Sequence, residues 1–184
     1  MNRRTFIERS VVAGAALLSW PPGATPAAPQ VIVSASQIPG SGTKPLYLWS
    51  NPGQRLSRVQ PTGSHPSVVI NPSSATTWTL TPALQKATTL QAGNFAVRLW
   101  IDRSNLSGNT TRNVTLTFAN SSLGTLATLT QDITAVPTGT PAAYVFTLNL
   151  PATVTAPIAS SFTLTVRNNT ANANRTVNVW PISG

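Results

Sequence analysis

The chain predicts an all-β protein, an antiparallel β-sandwich of about nine strands. Three observations predict it. Thr, Val and aromatic residues gather in short runs punctuated by Pro, Gly and Asn, as strands joined by turns do. Within the later runs apolar and polar residues alternate, which turns one face of each strand inward. No long segment carries a helical period. The 184 residues suffice for one domain with a core. With 41% of them hydrophobic, a charged content of only 8% does not bring disorder.

The first element is not part of that domain. Residues 2–9, NRRTFIER, form a charged start, and residues 11–20, VVAGAALLSW, an apolar run too short to span a bilayer. PPGATPAAP follows, with small residues suited to signal-peptidase cleavage. This three-part plan predicts a signal peptide over residues 1–27, cut after Ala27 or Ala28. Arg3, Arg4, Thr5, Phe6 and Ile7 resemble the twin-arginine export signal: two arginines, any residue, Phe, then an aliphatic residue. Asn2 and Glu8 depart from the residues commoner at their positions. The resemblance implies a bacterial-type protein that folds before it crosses the membrane. An ordinary secretory signal would lead to the same places: periplasm, cell surface or medium. The chain has no cysteine. It therefore forms no disulfide and carries no lipid anchor at a cysteine.

Residues 28–43 read as a linker or an edge strand around VIVSA (31–35), and residues 44–184 as the sandwich. The strand runs are PLYLWS (45–50), SVVI (67–70), TTWTL (76–80), ATTLQ (87–91), NFAVRLWID (94–102), RNVTLTFA (112–119), LATLTQDI (126–133), AAYVFTLNL (142–150), SFTLTVR (161–167) and RTVNVWP (175–181). TPALQKA (81–87) has room for one turn of helix. Phe95, Val97, Leu99 and Ile101 share a face. So do Val114, Leu116 and Phe118; Tyr144, Phe146, Leu148 and Leu150; and Phe162, Leu164 and Val166. Two sheets facing each other would bury these rows as one core. Trp78 falls in phase with Leu80 and belongs to the core.

One plan occurs twice. Residues 95–118 and 162–180 each read strand, Asn-rich loop, strand, with Arg103 and Arg112 flanking the first loop and Arg167 and Arg175 the second. They read either as two hairpins with solvated arginines or as two tips forming a cationic binding rim at one end. The cadence from LYLWSNP through AGNFAVRLW, a Thr-rich hairpin and YVFTLNL to the closing strand resembles jelly-roll-type sandwich domains of bacterial surface and appendage proteins. That resemblance covers about residues 44–182 and implies an exterior, non-catalytic role. An immunoglobulin-like sandwich is the alternative topology.

The formal net charge is +9. Removal of Arg3, Arg4, Arg9 and Glu8 with the signal leaves nine Lys or Arg and two Asp, a net of +7. These cations form no run or stripe, which excludes a specific nucleic-acid reader, while the net charge still draws the chain to anionic surfaces. One His and two Asp cannot build a zinc site, and no cofactor is expected. Calcium could use Asp102 or Asp132 with Asn and backbone carbonyls; Asp102 beside the Asn-rich loop is the better candidate, though its pairing with Arg98 or Arg103 is the commoner outcome. Glycoside hydrolysis would need Asp102 and Asp132 as its two carboxylates. A triad would need His65, which sits in the loop QPTGSHPS with no GxSxG in the chain.

Trp100 and Trp180 fall opposite the main apolar rows, with Arg98 and Asn178 as phase-mates. An outward Trp offers a platform for a sugar ring, because sugar C–H groups pack on an aromatic face. Three readings follow. The first is an exported surface domain acting in structure or adhesion, its partners another surface protein or copies of itself. The second is a carbohydrate-binding module using Trp100 and Trp180 on a polysaccharide. The third is a hydrolase built on His65 and an Asp. No transmembrane span is expected.

Overall fold

A computed structural model describes residues 30–33, 44–51, 53–63, 65–104 and 108–181. The export residues Arg3, Arg4 and Phe6 and the cleavage site lie outside the described residues. Thirteen strands run through what is described: β1 (Gln30–Val33), β2 (Lys44–Trp49), β3 (Arg55–Ser57), β4 (Val68–Ile70), β5 (Ala75–Leu80), β6 (Thr88–Leu90), β7 (Gly93–Asp102), β8 (Arg112–Asn120), β9 (Gly124–Ile133), β10 (Ala142–Leu150), β11 (Val154–Ala156), β12 (Phe162–Asn168) and β13 (Val177–Trp180). Thirteen exceed the expected nine or so; the ten runs named above and the VIVSA stretch account for all but β3 and β11. Each has three residues and one buried side chain, Leu56 or Ala156, which is too short for alternation to register. The fold is all-β and sandwich-like.

β7 organises one layer. β10 pairs along one of its edges from Gly93 to Ile101. The other edge is shared: β1 lies opposite Ala96–Arg98 and β13 opposite Trp100–Asp102. The two run in the same direction and abut across Leu99. β1 also pairs with β2, so Gln30–Val33 is an interior strand rather than a linker or an edge. The second layer runs β3-β5-β12-β8-β9, joined to the first through β2 and β3. Pairing between the strands is antiparallel except for β3 against β5, which is parallel, and an isolated parallel bridge joins Arg103 to Thr138.

The repeated plan does not make hairpins. β7 does not pair with β8, nor β12 with β13; each pair sits in opposite layers, and the connection between them crosses from one to the other. The core lies between the layers. Phe95 of β7 meets Phe118 of β8 edge-on at 5.3 Å, and Phe118 stacks on Phe162 at the same distance. The alternating rows named above point here, and all but half-buried Tyr144 are buried, as is Trp78. No helical turn forms at 81–87. That segment holds a cis Thr81–Pro82 bond and hangs buried Leu84 on the loop at Ala159–Ser160 through two backbone hydrogen bonds of 2.8 Å. Among the described residues no helix is long and apolar enough to cross a membrane.

Candidate functional site

The inward phase of β7 belongs to Phe95, Val97, Leu99 and Ile101, so Arg98, Trp100 and Asp102 stand on its outer face. β13 turns Val177 and Val179 inward and Asn178 and Trp180 outward. Its register sets Trp180 opposite Trp100 and Asn178 opposite Asp102. Directly opposed residues hold their Cβ atoms roughly 4.5–5.5 Å apart, so the two indoles are neighbours on one face. Both are half-buried.

Asp102 anchors this pair. It is 3% exposed. Its Oδ1 accepts from Trp180 Nε1 at 3.0 Å and from Asn178 Nδ2 at 2.8 Å. Neutral donors thus take the place expected of Arg98 or Arg103. Arg98 is half-buried, and among the described residues its guanidinium has no hydrogen bond or ion pair. Its register partner on β10, Val145, is 51% exposed.

The two Asn-rich connections do meet at one end of the sandwich. Ser104 N donates to Thr176 Oγ1 at 3.1 Å, and Asn169 Nδ2 to Asn113 Oδ1 at 2.8 Å. They do not form the expected rim of ligand-binding arginines. Arg112 is 1% exposed and gives Nε to Thr176 O at 3.0 Å and Nη1 to Asn109 O and Thr111 O at 2.7 and 2.9 Å. Burial, and after it the neighbouring Arg103 and Arg175 guanidiniums, hold Arg112 below the ordinary arginine range. Arg103 is buried too and gives Nε to Val136 O at 2.8 Å. These two side chains fasten loop backbone. Arg175 is half-buried beside them, and Arg167 is exposed on the outer face of β12, in the other layer.

That other outer face is a field of threonines. Thr77, Thr165, Thr117 and Thr128 stand in one rung across β5, β12, β8 and β9. Thr77 and Thr165 share a hydrogen bond of 2.7 Å, as do Thr115 and Thr130.

The acid–base residues are each engaged separately. His65 is buried with its ring edge-on to Trp49 at 4.9 Å and its Nε2 3.3 Å from Thr62 O. Arg55 covers the Trp49 ring at 4.3 Å. Asp132 accepts from Asn113 Nδ2 at 2.7 Å. Neither carboxylate reaches His65. Among the described residues no three His, Asp or Glu cluster to hold a metal.

The sequence pattern placed Trp100 and Trp180 on the outer phase but did not reveal their pairing, nor Asp102 beside Trp180. A signal was present. Trp-Ile-Asp (100–102) and Asn-Val-Trp (178–180) are reversed patterns, and antiparallel pairing sets Trp against Trp and Asp against Asn.

Fold and site together define a class, an all-β sandwich domain with an aromatic outer face. Solved structures similar to it are hydrolases. One is an α-amino acid ester hydrolase, 12% identical with a TM-score of 0.58, the match covering 80% of this chain and 36% of that one. A second is a CocE/NonD family hydrolase from Staphylococcus aureus, at 11% and 0.57, covering 76% and 36%. A third is an aminopeptidase from a marine sediment Thaumarchaeota archaeon, at 10% and 0.58, covering 74% and 34%. At such identity the likeness is one of fold, and this chain spans about a third of the length of each enzyme. No family model matches the chain. No curated protein matches it either.

Proposed function

We propose that the chain is an exported, non-catalytic sandwich domain that works by contact at the cell exterior. The observation that carries this is the engagement of His65, Asp102 and Asp132. Each is held by its own partners, and no partner is common to two of them. General acid–base work needs such groups convergent on a reacting atom. Export rests on the N-terminal pattern around Arg3, Arg4 and Phe6. The test is paired. Purified protein is assayed for hydrolysis of simple esters and for retention on cell-wall material and self-association. No turnover together with retention or assembly is expected; turnover abolished by His65→Ala would overturn the reading. Arg3→Lys with Arg4→Lys is expected to hold the protein in the cytoplasm.

A second reading is favoured by the side-by-side placement of Trp100 and Trp180, in which the domain binds a polysaccharide. Two indoles on opposed positions of one face, one oriented by Asp102, offer aromatic surface for sugar C–H faces. Retention on insoluble polysaccharide that survives moderate salt and disappears in the Trp100→Ala, Trp180→Ala variant would establish it. Retention lost with salt alone would overturn it, leaving only the net charge.

A further inference from the structure

We infer that the Trp100–Trp180 face takes an acidic polysaccharide, with Arg98 pairing to its carboxylate; this rests on the carbohydrate reading. The indoles by themselves do not discriminate. A sugar's C–H face packs on an aromatic ring whether or not the sugar is charged. Discrimination comes from the next position along β7. Arg98 precedes Trp100 by two residues on the same face, a step of about 6.6 Å, within reach of the substituents of a sugar seated on Trp100.

Three observations single out Arg98. Its guanidinium is held by no hydrogen bond or ion pair among the described residues, whereas Arg103 and Arg112 are spent on loop carbonyls. An uncommitted guanidinium fork matches a carboxylate bidentately. Arg98 is also half-buried, so fewer rotamers are lost when the head is engaged. And the one carboxylate on this face, Asp102, lies beyond Trp100, is 3% exposed and has Oδ1 occupied. An anionic ligand meets a cation at one end of the platform and a covered carboxylate at the other. Arg98 and Trp100 also stand on either side of the junction at Leu99 where β1 and β13 abut.

The test uses purified protein, insoluble polygalacturonate and alginate, and the methyl ester of each. Wild type is compared at moderate salt with Trp100→Ala/Trp180→Ala, Arg98→Gln and Arg167→Gln. Arg167→Gln removes the same charge from the opposite layer. Melting curves confirm that each variant folds. At least one acid polymer is expected to bind roughly tenfold more tightly than its ester, a difference of about 1.4 kcal/mol. Arg98→Gln should bring that polymer to the level of its ester, Arg167→Gln should change nothing, and the double Trp variant should lose both. Equal weakening by the two Arg variants would overturn the inference in favour of net charge. Equal binding of acid and ester, indifferent to Arg98→Gln, would overturn it while leaving the carbohydrate reading intact. Binding of none of the four polymers would remove both.

Discussion

Arg112 is the residue whose replacement separates a structural arginine from a ligand-binding one. In Arg112→Met the apolar stem is kept and three hydrogen bonds are lost: to Asn109 O and Thr111 O on its own connection and to Thr176 O on the connection between β12 and β13. A hydrogen bond from a charged donor contributes about 1.5–3 kcal/mol, so the three together amount to roughly 4.5–9 kcal/mol. Against this stands the cost of burying the cation among Arg103 and Arg175, the same burial and repulsion that lower its pKa. The expected net loss is about 3 kcal/mol. For a domain of this size that lowers Tm by about 6–12 °C.

Urea unfolding provides the assay: the midpoint should fall while the slope m is unchanged, because the surface exposed on unfolding is the same. Arg112→Lys should fall between, since one ammonium cannot reach carbonyls on both connections. A Met variant within about 0.5 kcal/mol of wild type would refute the reasoning. It would mean that repulsion cancels the hydrogen bonds, and the cationic end would return as a candidate ligand site.

Three further outcomes are expected. Gly124 closes the turn between β8 and β9 at φ +76° with nothing near its missing Cβ; Gly124→Ala should cost about 1 kcal/mol through backbone strain alone, and a neutral result by urea unfolding would contradict this. Asp102→Ala leaves Trp180 Nε1 and Asn178 Nδ2 without their shared acceptor; about 2 kcal/mol of stability should go and Trp emission should shift to the red, whereas an unchanged spectrum would count against the anchoring role. Tyr144 gives its hydroxyl to Thr134 O at 3.2 Å, and burial raises its pKa. The folded state then keeps the phenol proton to higher pH than the unfolded chain, so this stability is full below about pH 10 and fades as pH climbs above it. Tyr144→Phe should flatten the alkaline limb of the stability profile; a steeper limb would show the sign to be wrong.

The strands legible in the sequence are those with a long row to bury. In β7, β8, β10 and β12, three or more apolar residues repeat at every second position, and nothing else in the chain competes with that signal. β3 and β11 are held by what lies beside them: β3 sits between β2 and β5, and β11 leans on β6. Pairing partners were the harder part. Two strands joined by an Asn-rich loop suggest a hairpin, since Asn suits tight turns. Here those loops cross between layers, and the neighbours of β7 come from residues 30–33, 142–150 and 177–180. Apart from the reversed Trp-Ile-Asp and Asn-Val-Trp of β7 and β13, local sequence carries little information about partners so distant.

The misplaced arginines follow from reading residue type ahead of phase. Arg112 precedes Val114, Leu116 and Phe118 by an even step and so lies in their inward row. Asn120 extends the same row at its other end, and Asn168 extends that of Phe162, Leu164 and Val166. All three are buried. Their chemistry matches their place. Where a core row ends, the chain turns into a loop whose carbonyls are carried inward and must find donors. Arg112 serves Asn109, Thr111 and Thr176; Asn168 Nδ2 serves Ile70 O and Arg175 O; Asn120 Nδ2 serves Ser161 O. Two of the three fasten one connection to another. A sandwich closed in this way needs few surface ion pairs to hold its ends, which is consistent with a chain that is only 8% charged. Arg98 differs from these: on the outer phase of β7, away from any row end, it has no loop to fasten, and among the described residues its guanidinium is held by no hydrogen bond or ion pair.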